Sequence, residues 1–144
     1  MSQVHKTPFF VQHAIAKYIE ANKSFPCSIS EGMNFEELDL PIIGVVVTSQ
    51  ESKTGANGPT GNKVPTVSII LQTSYEMSNE QHWDLWAEIE DLFNLGRATV
   101  LTALNNVDAE IAFNNMEIGS LVNAVNDEIR KTIIEITFLT NIRS

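Results

Sequence analysis

At 144 residues, 43% of them hydrophobic and 19% charged, the chain is long enough for one self-sufficient core and too apolar for the disordered class. Eighteen acidic against nine basic residues leave a formal charge of -9, which excludes a surface built to wrap nucleic acid, because phosphate binding relies on clustered Lys and Arg and the only adjacent basic pair is Arg130-Lys131. The single cysteine, Cys27, excludes an internal disulfide, and the longest apolar runs are strand-length, so a soluble chain made in the cytoplasm, with no membrane span, is expected.

The first periodic segment opens at Thr7-Pro8, where Thr suits an N-cap and Pro the first helical turn. Phe10, Val11, Ala14, Ile15, Tyr18 and Ile19 recur at spacings of three and four, with Gln12, Lys17 and Glu20 outside the stripe. A helix with one packing face is predicted to about Asn22. Ser24 to Asn34 is turn-rich, with Pro26 and Gly32. The run Ile42-Ile43-Gly44-Val45-Val46-Val47-Thr48 is β-branched without alternation and reads as an interior strand covered on both sides. Val64 to Tyr75 is its natural antiparallel partner, with Pro65 at the start rather than the middle. Between them, Ser49 to Lys63 has neither period, carries Gly55, Gly58, Pro59 and Gly61, and is expected to be a long exposed hairpin loop. Loops of that length tend to bind something or to be disordered.

Ser78-Asn79-Glu80-Gln81 fits a capping box and starts a second helix. His82, Leu85, Trp86, Ile89, Leu92 and Phe93 share one face of it, and Glu80, Asp84, Glu88 and Asp91 share the opposite one. Gly96 is expected to end or kink this helix, and Ala98 to Leu104 to add one or two turns, closing at Asn105-Asn106. Two last strands are predicted, roughly Asp108 to Ile118 and Glu128 to Ile142, joined by a turn over Gly119 to Asp127. The order αββαββ gives an α+β fold, a mainly antiparallel four-stranded sheet flanked by helices, as one domain over residues 1–144.

The residues that carry chemistry do not assemble into a site. In the Gly-rich stretch Gly55 to Lys63, Asn62 separates Lys63 from the last Gly and a strand follows, so it lacks the aligned helix amides of a phosphate loop. His5, His13 and His82 are too far apart for a local metal site, and Cys27 has no neighbouring base. No enzyme activity, metal or cofactor is therefore expected. Glu80, Asp84, Glu88 and Asp91 read as a solvated face, or as the wall of a wet acidic lumen in an oligomer, where charge acts by repulsion. Trp86 falls on the core stripe, whereas Trp83 lies beside it, left for a partner subunit or a neighbouring strand.

The opening helix, Leu40-Pro41-Ile42-Ile43-Gly44-Val45-Val46-Val47, the polar loop, Val67-Ser68-Ile69-Ile70-Leu71-Gln72-Thr73-Ser74, and the helix containing His82-Trp83-Asp84-Leu85-Trp86 together resemble the small tail terminator and tail completion proteins of tailed bacteriophages. The resemblance spans most of the chain in element order and length, and rests on that order rather than on a diagnostic residue. It implies an α/β subunit that closes into a ring, commonly hexameric, at the head-facing end of the tail tube. There it caps tube growth and offers a surface to neck or connector proteins, while DNA passes without specific binding. The protein would then belong to the virion. Ring contacts are expected from the 51–63 loop and the end of the last strand, with Glu51, Lys53, Asn57, Asn62, Lys63, Trp83, Ile142 and Arg143 as interface residues. Alternative readings are another head-tail connector or minor tail protein, and a small-molecule-binding α+β domain.

Overall fold

The computed structural model describes residues 6–32, 41–55, 58–107, 111–125 and 129–142, apart from the side chains of 52–62, 125 and 142. Along them run α1 (Thr7–Asn22), β1 (Ser28–Glu31), β2 (Ile42–Gly55), β3 (Gly58–Ser74), α2 (Asn79–Phe93), α3 (Arg97–Val107), β4 (Ile111–Val125) and β5 (Ile129–Ile142). The strands form one five-stranded sheet in the order β1-β2-β3-β5-β4, parallel between β1 and β2 and antiparallel elsewhere. The fold is α+β, with a mixed open sheet.

The pleat sends alternate residues to opposite faces, and one face carries the core. Ile43, Val45, Val67, Ile69, Leu71, Ile134, Ile136 and Phe138 meet Val11, Ile15 and Ile19 of α1, Trp86, Ile89 and Phe93 of α2, and Val100 and Leu104 of α3 in one buried cluster. All three of these helices thus pack on the same side. The residues between, Ile42, Val46 and Ile70, are buried outside that cluster. The continuous apolar run of β2 is therefore covered on both faces, as its lack of alternation predicted.

The helices follow their sequence signals closely. The predicted stripe of α1 is buried, with Phe10 half-buried at its margin. Thr7 lies just inside the helix rather than capping it, and Lys6 holds the cap position, accepting the Phe10 N–H at 3.1 Å. On α2 the capping box forms in both directions: the Gln81 N–H donates to Ser78 Oγ and the Ser78 N–H to Gln81 Oε1, each at 3.1 Å. The helix stops at Phe93, and Gly96, at φ +109°, takes the left-handed conformation that lets α3 begin at once. The Tyr18 hydroxyl donates to the Leu92 carbonyl, and its ring stands edge-on to Phe93 at 5.5 Å, so α1 is fastened to the end of α2.

Three expectations need correction. The sheet has five strands rather than four, because Ser28–Glu31, inside the turn-rich segment, adds in parallel to Ile42–Val45. Four residues carry no detectable period, and sheet context decides them. The 49–63 stretch is strand rather than loop: β2 runs to Gly55 and β3 starts at Gly58, paired as Gln50↔Pro65, Glu51↔Val64 and Gly55↔Gly58. Polar residues suffice at Ser49, Gln50 and Glu51, which are exposed, so no apolar alternation marks the strand there. Likewise Gly119 to Val125 belongs to β4 rather than to a turn. Register shifts at Phe113/Asn115 and Ile118/Leu121 each insert an extra β4 residue, which breaks the alternation that sequence reading relies on.

Candidate functional site

The sequence pointed to two surfaces, a hairpin end and an acidic helix face. Glu51 is exposed on β2, and Lys63 is half-buried on β3, its carbonyl accepting the Thr140 hydroxyl at 3.1 Å. Lys53, Asn62 and Ile142 lie on strand backbone with side chains outside the described residues, as do Asn57 and Arg143 entirely. Since Asn62 pairs with Asn141 and Lys63 with Thr140, the last residues of β5 lie beside the base of the hairpin. The structure brings these two predicted contact regions together.

On α2, Glu80, Asp84 and Asp91 are exposed on the side away from the core, as expected. Glu88 departs from the row. It is half-buried and its Oε1 accepts the Ser24 N–H at 2.5 Å, so it anchors the turn after α1. The reason is the proximity of α1 to α2, which the sequence pattern alone does not contain. Trp83 is half-buried against the core and stands edge-on to His82 at 5.4 Å.

His82 is 1% exposed beneath the start of α2. Its Nδ1 lies 2.6 Å from Thr73 Oγ1 and its Nε2 lies 2.8 Å from Thr132 Oγ1, which donates in turn to Asn123 Oδ1 at 2.9 Å. If the Thr132 proton goes to Asn123, then Nε2–H donates to Thr132 and Nδ1 accepts from Thr73, which fixes a neutral imidazole with both nitrogens satisfied. Burial lowers its pKa, and Arg130 lowers it further. Arg130 itself donates to the carbonyls of Met77 and Ser74 and lies 5.0 Å over the Tyr75 ring, locking the β3–α2 turn. These are structural roles. Cys27 is half-buried, and burial pushes its thiol up to about 11; Lys23 opposes the shift while Glu20 and Glu88 add to it. A thiol so placed is a poor nucleophile. Among the described residues there is no group of three or more His, Cys, Asp or Glu able to hold a metal ion, and no helix long and apolar enough to cross a membrane.

A third surface emerged only from the fold. β4 is an edge strand, paired with β5 on one side. At its start, Asn105 of α3 covers the outward side: Nδ2 donates to the Phe113 carbonyl at 3.0 Å and Oδ1 accepts the Phe113 N–H at 2.6 Å. Beyond it Ile118, Leu121 and Val122 are 39, 42 and 53% exposed, with Leu95 of the α2–α3 turn at 59%. Asn94, Gly96 and Arg97 line a notch of about 270 Å³ together with Met116 and Ile118, so turn and strand share one surface. The bulge places Ile118 and Leu121, opposite Ile136 and Ile134, on the helix side of the sheet, and Val122 on the other. The sequence signal was the apolar content of 118–122, hidden by its broken parity.

No family model matches the chain, and comparison with curated proteins finds no match.

Proposed function

We propose that the chain is a structural subunit of a bacteriophage tail: a tail terminator that closes into a ring, hexameric in this reading, at the head-proximal end of the tail tube, stops tube growth and joins the tail to the neck. Its partners are copies of itself, the tube protein and the neck or connector proteins. The work is done by outer surfaces rather than by a cleft. The observation that carries this reading is the exposed acidic row Glu80, Asp84 and Asp91 on α2, in a chain of net charge -9. Such a surface turned toward a lumen repels phosphate and lets DNA slide without sticking. Residues of the hairpin and of the end of β5 lie side by side, so they can act as one of the two different surfaces that a ring neighbour must match. The experiment is electron microscopy of purified protein mixed with growing tail tubes. Rings at one tube end and tubes of fixed length are expected. Tubes that lengthen without limit and carry no bound protein, or turnover of a metabolite by the purified chain, would overturn the reading.

A further inference from the structure

The edge strands of this sheet are guarded unequally. On the β1 side, β1 covers Ile42–Val45, Gly32 donates to the Val45 carbonyl at 2.9 Å, and Gln12 Oε1 of α1 accepts the Val47 N–H at 2.9 Å. On the β4 side Asn105 covers Phe113. Past these two amide side chains, the outward sides of β2 from Ser49 to Gly55 and of β4 from Asn114 onward carry no further strand among the described residues. Proteins usually blunt such edges with Lys, Pro or covering elements. β4 has neither Lys nor Pro, carries one charge, Glu117, in the fifteen residues Ile111–Val125, and exposes Ile118, Leu121 and Val122.

We infer that β4 receives the free β2 edge of a second copy of this chain, so that the sheet continues from subunit to subunit head to tail. Charge selects the occupant. In a molecule of net charge -9, Glu117 is the one charge of β4, and the acid and base of Ser49–Gly55, Glu51 and Lys53, cancel. Two acidic copies meet at these strips with the least repulsion. Each copy carries both strips at opposite ends of one sheet, the requirement of a heterologous contact that repeats or closes into a ring. Leu95 and Ile118, beside the notch at the α2–α3 turn, add apolar area next to the strand. The inference deepens the tail-ring reading and rests on it only for the closure of the ring.

Sedimentation velocity of the full chain across a dilution series, with Leu121→Lys and Val122→Lys alongside, tests it. Concentration-dependent oligomers are expected for the unmodified chain, weakened roughly tenfold or more in each variant with an unchanged melting temperature. To fix the partner edge, Gln50→Cys and Leu121→Cys are placed separately in a Cys27→Ala background, mixed, and treated with a bis-maleimide. Mixed dimers are expected to dominate. Dimers from Leu121→Cys alone at equal yield would mean two β4 strands pair symmetrically and would overturn the inference. So would a chain that stays monomeric throughout the series. Oligomers that form through β4 yet leave tail tubes uncapped sink the tail reading and keep the edge pairing. Capping by a ring that Val122→Lys still builds does the reverse.

Discussion

Asn105 grips Phe113 by both of its backbone polar groups, standing at one position where a further strand would pair with β4, which among the described residues pairs only with β5. The side-chain amide does this because it carries a donor and an acceptor at the spacing of a peptide group. Asn105→Ala removes both bonds and is expected to cost about 1 to 2 kcal/mol in urea denaturation. Asn105→Asp keeps the acceptor for the Phe113 N–H but sets a carboxylate oxygen against the Phe113 carbonyl, so it should cost at least as much as the alanine. Equal midpoints for all three proteins would mean the grip contributes nothing.

His82 makes stability depend on pH. Its folded pKa is lowered while the unfolded value stays near about 6.5, so between the two the unfolded chain binds the extra proton. Its contribution is whole above that unfolded value and is lost as pH falls toward the depressed folded one. Urea midpoints are therefore expected to drop between neutral pH and pH about 5, and His82→Leu should flatten that slope while lowering the neutral midpoint, since Thr73 and Thr132 lose their shared partner. An identical slope in the variant would assign the effect to the carboxylates.

A Cβ on Gly119 would lie 3.1 Å from the Glu135 carbonyl oxygen, at the bulge where β4 gains its extra residue. Gly119→Ala is expected to destabilise the domain by about 1 kcal/mol, and Gly119→Val by more, as the strand is pushed off its partner. Melting curves decide it, and a higher midpoint for the alanine variant would refute the crowding.

The Cys27 thiol, held at about 11, is a sparse source of thiolate at neutral pH. Alkylation by iodoacetamide at pH about 8 should be at least tenfold slower than in urea-unfolded chain, where the thiol returns to its ordinary value. Equal rates would show that burial does not protect it.

What the sequence made legible follows from period. The stripes of α1 and α2 and the box at Ser78 and Gln81 were readable because helical spacing repeats over several turns. The two central strands were readable from unbroken β-branched runs. β1 was not, since Ser28–Glu31 becomes a strand by borrowing the edge of β2. Nor was the far half of β4, where the extra residue between Ile118 and Leu121 puts two apolar side chains three apart on one face and imitates a turn. The acidic row was visible as a row, but the loss of Glu88 to the Ser24 N–H depends on a contact across 64 positions of chain, which local pattern cannot hold.

The seam between β3 and β5 carries a consequence for how the chain finds its fold. The hairpins β2–β3 and β4–β5 join near neighbours, whereas the seam unites Asn62 with Asn141 and Ser74 with Ile129, closing a large loop that holds α2, α3 and β4. Ring closure of that size costs entropy before any contact repays it, so the search rate is set by docking two preformed ribbons. The hydroxyls of Thr66 and Thr137, 3.1 Å apart across the seam, sit where that docking happens. Replacing both with valine should slow refolding in stopped-flow traces while leaving the unfolding arm nearly in place.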